Sequence, residues 1–118
     1  MTPIPAEWLV ACLCAEWCGS CRGYREAFEN AAREAQRGVR YAWIDIEDHP
    51  DVMGDIEVES FPSLLIAKAD EVAFFGAVMP HPSTLASLVR RARLGQLSTV
   101  EDRAIAELAR RARAHSRD

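Results

Sequence analysis

Apolar positions along the chain change their period several times, and each change marks an element. Trp8-Leu9-Val10-Ala11-Cys12-Leu13-Cys14 is a continuous apolar run. It is too short for a helix of its own and suits a strand covered on both faces. Ala15-Glu16-Trp17 leads out of it. Cys21, Tyr24, Phe28, Ala31, Ala32 and Ala35 then recur at steps of three and four, with charged residues between them, which predicts an amphipathic helix. Gly23 costs that helix about 1 kcal/mol relative to alanine, and Gly38 is placed to end it. Val39 to Ile46 carries the β-favouring bulk of a second strand. Strand, helix and strand in this order make a βαβ unit, which is right-handed almost without exception.

The second half alternates more quickly. Glu47-Asp48-His49-Pro50-Asp51 is a polar connection, and Val52 to Val58 reads as a short helix or irregular segment broken by Gly54. Ser63-Leu64-Leu65-Ile66-Ala67 and Val72-Ala73-Phe74-Phe75 read as a hairpin around Ala69-Asp70-Glu71, with Gly76 ending its second strand. Leu85, Leu88, Val89 and Ala92 form the stripe of a helix that follows Pro80-His81-Pro82-Ser83 and stops at Gly95. Ser98-Thr99-Val100-Glu101 has the form of a capping box, opening a last helix to about Ala114 with a narrow stripe of Ala104, Ile105, Leu108 and Ala112. The result is an α/β domain with a mixed four-stranded sheet flanked by helices. One domain fills 1–118, with a core over about 8–94 and a C-terminal helical extension over about 98–115.

Composition narrows the class. The 118 residues are 49% apolar and 27% charged, the balance of a globular protein. No apolar run approaches the ~20 residues of a membrane span. Met1 to Glu7 has no basic stretch ahead of an apolar one, so no secretion signal is read and a cytoplasmic location is expected. The net charge of −4 argues against nucleic acid as a partner. Eight arginines face four acids from Arg90 onward; a solvated helix face is the expected explanation, with docking of an anionic partner as the alternative.

Four cysteines, Cys12, Cys14, Cys18 and Cys21, lie within ten residues. A structural disulfide framework spreads its cysteines, so this clustering points to redox chemistry or metal binding. Cys18 and Cys21 sit where the first strand meets its helix. Unpaired N–H groups and the positive end of the macrodipole favour a thiolate there, and the thiolate is the attacking species. Cys18, nearer the helix tip, is the expected nucleophile. Cys21, one turn in, attacks the mixed disulfide and releases the substrate. Gly19 keeps the approach open and Ser20 adds a small polar group. Zinc sites use the same spacing, but the strand–helix junction favours the redox reading.

Ala15-Glu16-Trp17-Cys18-Gly19-Ser20-Cys21 resembles the active-site segment of the thioredoxin family, with Ser20 where thioredoxin itself has proline. Phe61-Pro62-Ser63-Leu64-Leu65 resembles the segment carrying that family's cis-proline, and Ile44 to Pro50 its acidic, proline-terminated loop. Gly76 falls where the family has a glycine beside the substrate groove. The resemblance runs from about Trp8 to Leu94. It implies the thioredoxin-like fold, to which the last helix is an extra C-terminal addition, and a cis Phe61–Pro62 bond close to the two sulfurs. It also implies a substrate-binding rim of Trp17, Gly19, Ser20, Phe61, Pro62 and Gly76, where an extended client pairs with the backbone of Phe61.

Four departures stand out. Only seven residues precede Trp8, so the strand and helix that open thioredoxin are missing. The strand at Arg40–Ile46 is then expected at an edge, covered by the C-terminal helix or by a second copy in a homodimer. Cys12 stands where the family buries an aspartate, and Trp43 where it has a lysine. Proton transfer from Cys21 then falls to water or Glu47, with slower turnover than a typical thioredoxin. Cys14 replaces a tryptophan. It shares one face of its strand with Cys12, and the two read as buried small hydrophobes, as auxiliary redox cysteines or as metal ligands. His49, His81 and His115 read as surface residues.

The expected function is reduction of protein disulfides through Cys18 and Cys21 for a specialised client. No bound cofactor is needed, because electrons come from an external thioredoxin reductase-type donor. The alternative is a thioredoxin-fold binding or chaperone-like module with sensory cysteines.

Overall fold

The opening apolar run forms the strand Trp8–Cys14 (β1), and the rest of the sheet is laid on either side of it. The computed structural model describes residues 8–15, 17–35, 38–58, 60–69 and 71–116. The segment before Trp8 and the full turn at Ala69-Asp70-Glu71 lie outside these residues. β1 leads to the helix Gly19–Arg33 (α1) and the strand Val39–Asp45 (β2). The short helix Pro50–Met53 (α2), the strands Ser63–Lys68 (β3) and Glu71–Ala77 (β4), and the helices Pro82–Arg93 (α3) and Arg103–Ser116 (α4) follow. The sheet order is β2-β1-β3-β4. β1 runs parallel to β2, with Trp8 beside Val39, and antiparallel to β3, with Cys12 beside Leu64.

A central strand must be apolar on both sides, and β1 is. Leu9, Ala11 and Leu13 face one core with Leu65, Ala67, Leu108 and Ala112. Val10, Cys12 and Cys14 face the other with Tyr24, Phe28, Leu64 and Leu85. The period of two thus sorts alternate residues to opposite faces. α1 and α3 cover the cysteine face, while α2 and α4 cover its reverse.

Several boundaries differ from the sequence expectation. α1 ends at Arg33, before Gly38; the chain leaves it through Glu34, whose N–H donates to Asn30 O. Gly76 lies inside β4 opposite Leu64 and does not end the strand. The capping box at Ser98 is not used. Val100 instead bridges to Val72 on the outer side of β4, its N–H donating to Val72 O at 2.7 Å. That bridge holds the segment extended, and the cap falls to Asp102, whose Oδ1 accepts from the Ala104 N–H at 2.9 Å and the Ile105 N–H at 3.3 Å. The buried stripe of α4 is Leu108, Ala109 and Ala112, and Ala104 is exposed.

α4 starts beside β4 and ends over β2, where Arg40 Nη1 donates to Ser116 O at 2.8 Å. Fourteen residues at about 1.5 Å each span the roughly 14 Å between the outer strands of a four-stranded sheet. The helix therefore crosses the sheet face and does not run along the β2 edge. Among the described residues, β2 pairs with β1 alone. The arginine-rich end is also more than a solvated face. Arg111 Nε donates to Val52 O at 2.6 Å and its Nη2 to Met53 O at 3.2 Å, satisfying carbonyls at the end of α2 that have no intrahelical partner. Gly54 makes room for this contact. Its φ is +59°, and a Cβ there would meet Arg111 Nη2 at 2.9 Å. His49 and His115 are half-buried rather than surface residues, their rings in tilted contact with centroids 4.2 Å apart.

Candidate redox site

The site forms where β1 runs out and α1 begins. Cys18 is the N-cap of α1 and has extended backbone angles. Its N–H donates to Ala15 O at 3.0 Å, which closes the turn between strand and helix. Gly19 and Ser20 are exposed in the first turn, while Cys21 points inward and is buried. Trp17 stands out from the surface with 64% of its area exposed. Its indole N–H donates to Glu47 Oε1 at 2.8 Å, and its ring meets Phe61 edge-on at 5.6 Å. The Phe61–Pro62 bond is cis. The Trp17–Phe61 contact joins the cysteine turn to the cis-proline turn.

Glu47 is exposed and bound to Trp17 at the rim, so it serves to orient the indole. Gly76 is held in the β4 ladder, and Val78 is the residue tied to the cis-proline, its N–H donating to Pro62 O at 3.0 Å. Asp45, Asp48 and His49, together with Arg22 and Arg25, line a hollow of about 230 Å3 beside Cys21. In the sequence Asp45 reads as part of the second strand, and Asp48 and His49 as part of a polar connection. The available signal was their place after the carboxyl end of a parallel strand, where ligand crevices form in α/β sheets. A larger groove of about 1300 Å3 lies between α1 and α3, lined by Trp8, Tyr41, Leu85 and Val89, and contains none of the four cysteines.

The sulfur pairing is the main surprise. Cys21 is disulfide-bonded to Cys14 at the end of β1, with Cα atoms 5.8 Å apart. Cys18 is free and half-buried. Cys14 is therefore not an inert hydrophobe. Cys12 is free and fully buried, its Sγ 3.4 Å from Cys14 Sγ. Burial pushes the Cys12 thiol far above its ordinary range, so it keeps its proton and is the donor to the bonded sulfur. Beside it, burial, and after it the neighbouring Cys12 and Tyr41, push Tyr24 well above the usual tyrosine range. Its hydroxyl has no hydrogen-bond partner among the described residues. Trp43 packs edge-on against Phe28 at 5.6 Å and lies under the Arg25 guanidinium, so this position supplies packing and no ammonium.

Among the described residues no cluster of three or more His, Cys, Asp or Glu is arranged to hold a metal ion. No helix among them is long and apolar enough to cross a membrane.

The thioredoxin family profile matches residues 5–90. The thioredoxin of Pyropia yezoensis is 33% identical over 79 residues, covering 65% of this chain and 72% of that one. That of Listeria monocytogenes is 34% identical over 58 residues, covering 49% and 56%. The chain thus spans little more than half the length of the Listeria relative. Among solved structures, the germline-specific thioredoxin Deadhead of Drosophila melanogaster superposes with a TM-score of 0.64 at 17% identity, covering 73% of this chain and 81% of that one. Thioredoxin f from spinach chloroplast gives 0.63 at 19%, covering 75% and 73%. The family match and the fold define a disulfide oxidoreductase of the thioredoxin type. The chain belongs to the thioredoxin family, with α4 lying beyond the matched segment.

Proposed function

We propose that this chain reduces disulfides in a protein client, with Cys18 as nucleophile and Cys21 as resolving thiol. The observation that carries the reading is the free, half-buried Cys18 at the tip of α1, beside a rim in which Trp17 meets Phe61 and the cis-proline turn. The Cys18 thiolate attacks a client disulfide and expels one client thiolate. Cys21, when reduced, attacks the mixed disulfide at Cys18 and expels the second. The backbone ahead of Pro62 pairs with an extended client segment, and exposed Gly19 and Ser20 leave its approach open. Electrons return from an external dithiol donor of the thioredoxin reductase type.

Insulin reduction with dithiothreitol as electron source tests the reading. Cys18→Ser is expected to lower the rate above background at least about 100-fold, because the attacking group is gone. Cys21→Ser is expected to accumulate mixed disulfides through Cys18. An undiminished rate in Cys18→Ser overturns the assignment.

A further inference from the structure

We propose that Cys14 is a third redox cysteine that takes Cys21 over from Cys18, moving the disulfide into the core and freeing the surface thiol. The proposal rests on the reading of Cys18 and Cys21 above, and it is carried by the bond the structure contains: Cys14 to Cys21, with Cys18 free.

The exchange balances without any added oxidant. Reduction of a client leaves Cys18 bonded to Cys21. The Cys14 thiolate attacks Cys21 Sγ, a Cys14–Cys21 bond forms, the Cys18–Cys21 bond breaks, and Cys18 leaves as thiolate. The proton lost from Cys14 is returned to Cys18 through solvent. One disulfide replaces another, and no electrons are gained or lost. The geometry suits it. The Cα separation of 5.8 Å lies within the 4.4–6.8 Å range that disulfides span. Cys14 and Cys21 are each 1% exposed, whereas Cys18 stands at the surface. Cys12 completes the arrangement: its S–H, 3.4 Å from Cys14 Sγ, stabilises that sulfur as a thiolate when the core bond opens. Cys21 is thus shared between a surface partner and a core partner. While it is bonded to Cys14, a mixed disulfide made by Cys18 has no resolving thiol and persists.

Peptide mapping decides between the two bonds. All four cysteines lie in one tryptic segment, but Glu16 divides Cys12 and Cys14 from Cys18 and Cys21. Protein oxidised with one equivalent of diamide, alkylated under denaturing conditions, and cut after arginine and glutamate is expected to yield residues 8–16 disulfide-linked to residues 17–22, with Cys18 alkylated. An oxidised 17–22 peptide without that link overturns the proposal. Cys18→Ser, which keeps Cys14 and Cys21, is expected to titrate with one free thiol after oxidation and to give the same linked peptides with Cys12 alkylated; three free thiols overturn it. Cys14→Ser is expected to lose the linked pair, and the wild-type map stands alone if that variant does not fold. The insulin assay on the same preparations separates the two readings: Cys18-dependent reduction without the linked pair removes the core exchange only, while the linked pair without Cys18-dependent reduction removes the reductase reading only.

Discussion

The two faces of the sheet are built from alternate residues of the same strands, yet they are held by different physics. On one face, Cys12, Cys14 and Cys21 sit in an apolar layer under Tyr24 and Phe28, where the buried Tyr24 hydroxyl has no hydrogen-bond partner among the described residues. On the other, Leu108, Ala109 and Ala112 of α4 close over Leu9, Ala11 and Leu13, and guanidinium groups tie the layer together through backbone carbonyls. The first face carries chemistry and tolerates an unsatisfied hydroxyl. The second is fastened by guanidinium bonds to main-chain oxygens. Reactivity and fastening are thereby assigned to opposite sides of β1, which lets each be tested while the other is watched.

The largest effect is expected from Cys18→Ser. Insulin reduction should fall at least about 100-fold, while the midpoint in urea stays within experimental error, since a half-exposed N-cap sulfur makes no side-chain cap. A large loss of stability would break the separation. Next comes Leu108→Ala on the fastening face. Leu108 is fully buried, so about 3 kcal/mol is expected from lost burial and cavity formation, read by urea denaturation, with activity per folded molecule retained. Arg111→Met removes two charge-assisted bonds to α2 while keeping the aliphatic stem, and should cost about 2 kcal/mol.

The sulfur face has its own signature in alkali. Cys12 and Tyr24 are both pushed upward by burial, so the unfolded chain releases their protons before the folded one does. The stability they lend is fully present below the unfolded cysteine value near 8.5. It is lost as pH rises past that value and the tyrosine value near 10, at up to about 1.4 kcal/mol per pH unit and per group. Urea titrations from pH 7 to 11 should show the fall, and Cys12→Ala should remove its first part. The smallest effect is expected for Asp102→Ala, about 1 kcal/mol from the lost cap on α4.

The sheet was largely legible because its signals are local. Seven consecutive apolar residues identify β1 as a strand buried on both faces, and the step of three and four places Cys21, Tyr24 and Phe28 on the inner side of α1. The cis bond before Pro62 followed from family resemblance; nothing in the residues alone selects it. Where a signal depended on distant packing, it misled. Ser98 matches a capping box, but the Val72–Val100 bridge holds that segment extended and passes the cap to Asp102. The bond between Cys14 and Cys21 was also hidden. The two are seven apart on different elements, and only the turn closed between Ala15 and Cys18 brings them together. Arg111 against Gly54 was invisible for the same reason: neither residue type signals a partner 57 positions away.

The fastenings around α4 bear on how this chain can vary. Among the described residues, Arg40, Arg111 and Arg113 each donate to main-chain oxygens, at Val52, Met53, Ala67 or Ser116. Every residue type carries that oxygen, so the acceptor side of the contact is indifferent to side-chain identity. Drift at positions 52, 53 and 67 is constrained by size and hydrophobicity alone, whereas the donors Arg40, Arg111 and Arg113 have no equivalent replacement. The lineage of such a helix should therefore show a lopsided record: guanidinium groups held fixed, and the residues that receive them freely exchanged among apolar types.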